Sequence, residues 1–324
     1  MQKRRFGHSD LEVSELSYGT WLNVADGARR QQAIRCVHAA LEHGINLFDT
    51  ANQYGAGEAE RLLGEALRTV PRDRYFIATK LFFPVGDQPD HGLSAAQIEK
   101  QLNNSLARLG IETIDLYQCH RFDKETPLEE TLAALDKAVR AGKVRMIGFS
   151  EWTATQIEAA VAITGTNHLT PMTSNQSQYS ILWRKPEGAI FEAGTQYGFG
   201  FMAFSPLAHG TLSGKYVPGK PPPAGSRAAD ESMSRFMETA GRHYRSDSLL
   251  RAVSALSPIA EEVGVTMAQM ALAWVLRRSE VTTAIIGASH PEQIAENVGA
   301  VGVALPVEVL ERIDDVVDGV VVKP

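Results

Sequence analysis

The strongest constraint on what this chain can fold into is a rhythm. Short runs of β-branched and apolar residues alternate with longer stretches of helical periodicity along almost its whole length. The first unit shows the pattern. Residues 16–19 read as a strand, and Asp26 can cap a helix in which Ile34, Val37 and Leu41 form one apolar stripe. Gly44 then ends that helix, and 46–48 read as the next strand. Further strands are predicted at 76–79, 114–118, 145–149, 172–175, 200–204 and 284–286. Helical patterns separate them: Leu128, Leu132, Leu135 and Val139 fall on one face, and Thr153 with Gln156 makes a capping box. About eight strands, nearly every one followed by a helix, predict an α/β fold of the closed parallel (β/α)8 kind, a TIM barrel. A short N-terminal β-hairpin precedes it, and residues 1–324 form a single domain with long mouth loops.

An open doubly wound sheet is the rival at fold level. It would carry a GxGxxG cluster in its first βα turn, where this chain has Gly19-Thr20-Trp21. Gly55-Ala56-Gly57 resembles part of that fingerprint, but it follows the wrong strand and lacks the third glycine. One segment breaks the rhythm. From Lys215 to about Asp247 the chain carries Pro218, Pro221, Pro222 and Pro223, then a polar stretch, and this predicts a long loop after the seventh strand.

Charge narrows the partners. A net charge of −6 and a pI near 5.9 argue against nucleic acid or an anionic membrane as the main partner. No stretch of about 18 apolar residues occurs, and no apolar run follows the basic start MQKRRFGHSD. Cys36 and Cys119 stand in no metal-ligand or CxxC spacing, so no metal is expected, and a reducing, cytoplasmic setting is.

In such a barrel, catalysis gathers at the C-terminal ends of the strands. The polar residues predicted there are Asp49 and Tyr54 after the second strand, Lys80 at the end of the third and His120 after the fourth. Together they suit carbonyl reduction. A tyrosine hydroxyl can protonate the carbonyl oxygen, but its ordinary pKa of about 10 is high for the task. The Lys80 ammonium would stabilise the phenolate and lower that value, Asp49 would hold the ammonium, and His120 would donate to the carbonyl oxygen. Each residue alone has a plainer structural reading as turn, loop packing, strand end or buried histidine; the convergence of four is what points to chemistry.

These residues sit in Gly-Ile-Asn-Leu-Phe-Asp49-Thr-Ala-Asn-Gln-Tyr54-Gly, Ala-Thr-Lys80 and Asp115-Leu-Tyr-Gln-Cys-His120. Those strings resemble the aldo-keto reductase superfamily across nearly the whole chain, with the Asp/Tyr/Lys/His tetrad complete. Gly142-Lys-Val-Arg-Met-Ile-Gly-Phe-Ser150 is similar as well. Within the family, Gly19-Thr-Trp21, Ser205-Pro-Leu-Ala-His-Gly-Thr-Leu-Ser-Gly-Lys215-Tyr and Gly287-Ala-Ser289 resemble the branch of potassium-channel β subunits and their bacterial relatives.

The resemblance implies NADPH lying across the mouth and a small aldehyde or ketone as substrate. Thr20, Trp21 and Asp49 would border the cofactor, Ser150 and Gln176 would meet its carboxamide, and Phe204 would stack on its ring or pack the barrel rim. Ser205, Pro206, Leu207 and Gly210 would bring backbone N–H groups to the pyrophosphate, with Lys215 and Arg227 adding charge. Gly287 and Ser289 open a helix after the eighth strand, a usual place for phosphate. Ser289 is thus the candidate for the 2′-phosphate, and Gln293, Glu296 and Asn297 for the adenosine. Ser289-His-Pro-Glu292 also reads as a capping box needing no ligand. Two departures stand out: many members carry Asn where this chain has Glu151, and Tyr or Trp where it has Phe204.

Two rival functions remain open at this level. A barrel lyase could use Lys80 as a Schiff-base nucleophile. A cofactor-binding accessory or redox-sensing subunit, like the channel-associated relatives, would turn over little, but those relatives tend to lack the tetrad histidine that this chain keeps at His120. A homo-oligomer is in keeping with that branch. Specificity is expected in mouth loops: Leu81–Gly92, Tyr179–Lys185 with Trp183, and also Trp21 and Trp152.

Overall fold

A computed structural model describes residues 1–21, 28–87, 90–239 and 243–324. β1 (Lys3–Arg5) and β2 (Glu12–Ser14) pair antiparallel as the expected hairpin. The next eight strands are β3 (Leu16–Gly19), β4 (Leu47–Asp49), β5 (Phe76–Leu81), β6 (Ile114–Cys119), β7 (Val144–Ser150), β8 (Met172–Gln178), β9 (Gly200–Phe204) and β10 (Val281–Ile286). They close in the order β10-β3-β4-β5-β6-β7-β8-β9, each parallel to its neighbours, which is the TIM barrel the alternation predicted.

Six helices follow the first six barrel strands in turn: α1 (Ala28–Glu42), α2 (Glu58–Leu67), α3 (Ala95–Leu109), α4 (Leu128–Arg140), α5 (Ala154–Thr166) and α6 (Ala189–Tyr197). Between β9 and β10 lie α7 (Glu231–Met237), α8 (Asp247–Ser254), α9 (Ser257–Val263) and α10 (Met267–Leu276); α11 (Pro291–Val298) and α12 (Val307–Val317) complete the chain. Leu132 and Leu135 on α4 are fully buried, and the Thr153/Gln156 capping box of α5 forms. The expected cap at Asp26 lies outside the described residues. Among the described residues no single helix is long and apolar enough to cross a membrane.

The stretch 215–247 is not bare loop. It holds a 3₁₀ turn at Arg227–Ala229 and then α7, whose start is marked by Asp230 Oδ1 accepting from Met233 N at 3.0 Å. Met237 is fully buried and anchors that helix. The proline cluster predicted the irregular first half; one buried apolar side chain and one capping aspartate make the second half helical.

The barrel interior is graded, and the period of two along a strand explains how. Leu47, Ala78, Leu116, Met146, Met202 and Ile285 pack as an apolar layer, plugged from below by Phe6 and Val13 of the hairpin. Two residues further along their strands stand Asp49, Lys80, Gln118, Gly148, Phe204 and Gly287. The lower layer therefore supplies cohesion and the layer above supplies polar chemistry. Gly148 has no alternative there: any Cβ would run into Ser174, which donates to Gln118 Oε1 at 3.2 Å.

Candidate active site

Lys80 is fully buried, and three partners surround its ammonium. Nζ donates to Asp49 Oδ1 at 2.6 Å and to the Thr50 carbonyl at 2.8 Å, and lies 3.4 Å from Tyr54 Oη. The other oxygen of Asp49 accepts from Gln176 Nε2 at 2.9 Å. Thr20 N donates to the Asp49 carbonyl at 2.9 Å and fixes the end of β4. The strand behind Lys80 is held from outside too. Thr79 Oγ1 donates to Glu60 at 2.6 Å, and Arg108 donates to the other Glu60 oxygen at 2.6 Å, tying β5 to α2 and α3.

His120 completes the group. Its ring lies 5.8 Å from that of Tyr54, edge on at 78°, and is nearly buried. The four sequence-predicted catalytic residues therefore lie together, although they come from three separate strand ends.

Electrostatics assign their states. Burial acts against the Lys80 charge, but Asp49 and Tyr54 outweigh it and raise the pKa, so the group stays an ammonium. Burial pushes the Tyr54 phenol above its ordinary value, while Lys80 pulls it back down. The sequence expectation of a lowered tyrosine is thus corrected: the ammonium acts in the expected direction, and desolvation outweighs it. Burial, then the charges of Lys80 and Arg121, hold His120 well below the usual imidazole range and leave it neutral near pH 7. His120 Nδ1 is buried and meets no hydrogen-bond partner among the described residues. An orphaned N–H costs more than an orphaned lone pair, which favours the ring proton on Nε2.

The opposite side of the mouth is built differently. Ser205, Ala208 and His209 carry φ of +52°, +45° and +58°, and Gly210 follows at +95°. The turn closes on itself: Ala208 N donates to the Ser205 carbonyl at 2.9 Å and Gly210 N to that of Leu207 at 2.8 Å, so the N–H of Gly210 expected to meet a pyrophosphate is already engaged. A Cβ at Gly210 would come within 2.9 Å of Lys215 Nζ, and one at Gly287 within 3.4 Å of Arg227 Nη2. Burial and the neighbouring Arg227 lower the Lys215 pKa; burial lowers that of Arg227, which as a guanidinium stays charged. Two facing cations, each beside a glycine that leaves backbone room, fit a dinucleotide diphosphate.

The remaining cofactor candidates fall into place unevenly. Ser150, buried at the end of β7, is the register neighbour of Gln176 on β8; both strands run further than the sequence suggested. Gln176 is already engaged by Asp49, a link that sequence reading missed because it joins residues 127 apart. Glu151, with φ +58°, turns its Oε1 back to accept from Gln178 N at 2.7 Å. Phe204 ends β9 and packs on the interior apolar layer with one side partly exposed at the rim. Pro206 is buried and Leu207 half-buried under the turn.

Beyond β10, Ser289 is exposed, its Oγ 3.0 Å from His290 Nδ1 and 3.3 Å from Gln293 Oε1. The capping-box alternative does not form. The residue before α11 is His290, with no side-chain cap, and Gln293 rather than Glu292 reaches back to Ser289 N, at 2.8 Å. Gln293 and Glu296 are exposed on α11, whereas Asn297 is buried.

Aromatic walls line the mouth. Trp21 sits 6.5 Å from Tyr54, 5.8 Å from the His209 ring and under the Arg227 guanidinium at 5.8 Å. Tyr244 packs at 5.6 Å from His209 and accepts from Gln178 Nε2 at 2.6 Å. Neither His209 nor Tyr244 has a periodic signal in sequence; only the fold brings them here. Two of the expected specificity tryptophans do not face the mouth. Trp152 is buried between Phe122 and Phe149, and Trp183 is buried and bridged to the C-terminal Val322. Both cysteines are free and buried, and burial pushes the Cys119 thiol up to about 12.

Comparison with known proteins agrees with this geometry. The profile described as "Aldo/keto reductase family" matches residues 15–318. A protein of Oryza sativa subsp. japonica named "Probable voltage-gated potassium channel subunit beta" is 37% identical over 322 residues, covering 98% of this chain and 97% of that one. An Arabidopsis thaliana protein of the same name is 37% identical over 322 residues, with the same coverage of both chains.

Proposed function

The chain belongs to the aldo/keto reductase family, and from that premise we propose that it is an NADPH-dependent reductase of small aldehydes and ketones. The observation that carries this reading is the contact of a buried, ion-paired Lys80 with the hydroxyl of Tyr54, with a neutral His120 alongside. When bound, the dihydronicotinamide supplies a hydride to the carbonyl carbon. Tyr54 Oη gives its proton to the carbonyl oxygen, and the product is an alcohol. The phenolate left behind faces Lys80, which stabilises it until solvent returns the proton. Asp49 keeps Lys80 in place, Gln176 keeps Asp49 in place, and His120 donates from Nε2 to orient the same oxygen. Lys215, Arg227 and Ser289 would hold the phosphates. The buried free cysteines support a cytoplasmic setting, and a homo-oligomer is proposed from the family resemblance.

The relatives' printed names support a second reading, in which the chain is an accessory subunit that holds the nucleotide and turns over slowly. The lyase reading is weaker, because a Schiff-base lysine needs a free amine and Asp49 keeps Lys80 charged. The deciding measurement is NADPH consumption against a panel of aldehydes and ketones, with NADH in parallel. Tyr54→Phe should lower turnover about 10²- to 10⁴-fold while leaving NADPH binding nearly intact. Unchanged turnover in that variant means the proton comes from elsewhere; tight NADPH retention without turnover in the wild type selects the accessory reading.

A further inference from the structure

The loop from β5 to α3 is fastened at its two ends. Gly92 N donates to the Phe82 carbonyl at 2.7 Å. Asp123, after β6, accepts from Leu93 N at 2.7 Å, Thr126 Oγ1 at 2.7 Å and Glu125 N at 2.9 Å. The fastening presents the Phe83 ring to the imidazole of His120 at 5.1 Å and 81°, opposite to no other aromatic but Tyr54 among the described residues. Phe82 packs behind Phe83 at 5.0 Å, and the Arg121 guanidinium lies 5.7 Å from the same ring.

We propose that Phe83 is a positioning residue for His120: its ring, set by a loop clamped on Asp123, shields the imidazole from water and fixes its angle toward the carbonyl oxygen. The proposal rests on the reductase reading for its function, but the geometry it invokes belongs to the protein alone. Three titratable or charged groups face the imidazole: Lys80 from β5, Tyr54 from the turn after β4, and Arg121 from its own loop, with Asp49 behind Lys80. The cations among them disfavour an imidazolium, yet charge across open water is screened. The ring that excludes water is what lets them act.

The sign follows. A folded-state value below that of the unfolded chain means the unfolded chain binds the extra proton, so the stability that neutral His120 contributes is complete above about pH 6.5 and declines as pH falls. Removing the Phe83 ring moves His120 back toward its ordinary value. Imidazole nitrogen signals of the full-length protein with ¹⁵N-labelled histidine report this directly, with His120 assigned by its loss in His120→Asn. In the wild type the His120 signals should stay neutral from pH 8 to 5.5. In Phe83→Ala they should titrate within that range, and Phe83→Trp should restore silence. In parallel, the pH profile of kcat/KM of Phe83→Ala should acquire an inflection near the ordinary histidine value, absent from the wild type and from Phe83→Trp. If Phe83→Ala does not fold, Phe83→Leu carries the same comparison. His120 remaining silent in a folded truncation variant overturns the proposal. Absence of any reductase activity would overturn the function reading instead, leaving the nitrogen titration to decide the role of Phe83.

Discussion

On the β4–β6 side of the mouth, the charged groups are locked to one another. Lys80, Asp49 and Gln176 bond in series behind Tyr54, and all three are buried on barrel strands or their ends. On the β9–β10 side, Lys215 and Arg227 repel each other without an acid between them among the described residues, and the backbone carrying Ser205 to Gly210 is bent into left-handed conformations. One side is held by paired opposite charges, the other carries two like charges on irregular backbone. Side chains mounted on strands are over-determined in position, whereas those mounted on loops are not.

The largest effect that could break this comparison is expected at Lys80→Met. The substitution leaves the Asp49 carboxylate buried with Gln176 as its only side-chain partner among the described residues, so unfolding free energy should fall by about 3–5 kcal/mol in urea titration, with activity lost. The double variant Asp49→Asn/Lys80→Met should recover much of the stability and none of the activity. A single variant as stable as the wild type would mean that this side is not locked at all.

Arg227→Ala tests the opposite side and should behave in the opposite way. With no acid partner among the described residues and only its stacking on Trp21 to lose, the cofactor-free protein should lose no more than about 1 kcal/mol. NADPH affinity should weaken by about 1.5–3 kcal/mol, the usual worth of hydrogen bonds to charged groups, while kcat at saturation holds. A destabilised cofactor-free protein with unchanged affinity would instead make Arg227 a structural strut stacked on Trp21.

The same asymmetry decided what could be read from sequence. The barrel was legible because its signal is repeated eight times in periodicity. Asp49, Lys80 and His120 were legible because strand ends are predictable and in such a barrel they all open on one mouth. The Asp49–Gln176 bond was not, since it crosses the barrel between β4 and β8 and leaves no local trace. His209 and Phe83 sit in irregular loops, where neither period nor capping chemistry marks which side chain turns inward. The net direction of the Tyr54 shift is hidden for a related reason: a neighbouring ammonium that lowers it is visible in sequence, whereas the burial that outweighs it is a property of the assembled mouth.

The finest test concerns Ser289, where the comparison is at its narrowest. Its hydroxyl is exposed, as a 2′-phosphate ligand must be, but it already lies within 3.3 Å of Gln293 Oε1 and 3.0 Å of His290 Nδ1. These are weak, solvent-exposed bonds, and exchanging one for a bond to phosphate costs little. Ser289→Ala should therefore weaken NADPH by about 0.5–1.5 kcal/mol, roughly two- to thirteenfold, with no change for NADH, measured as dissociation constants by fluorescence quenching. An equal loss for both cofactors would place Ser289 with the locked side, as a brace for Gln293 at the start of α11. A loss confined to NADPH would place it with the cations Lys215 and Arg227.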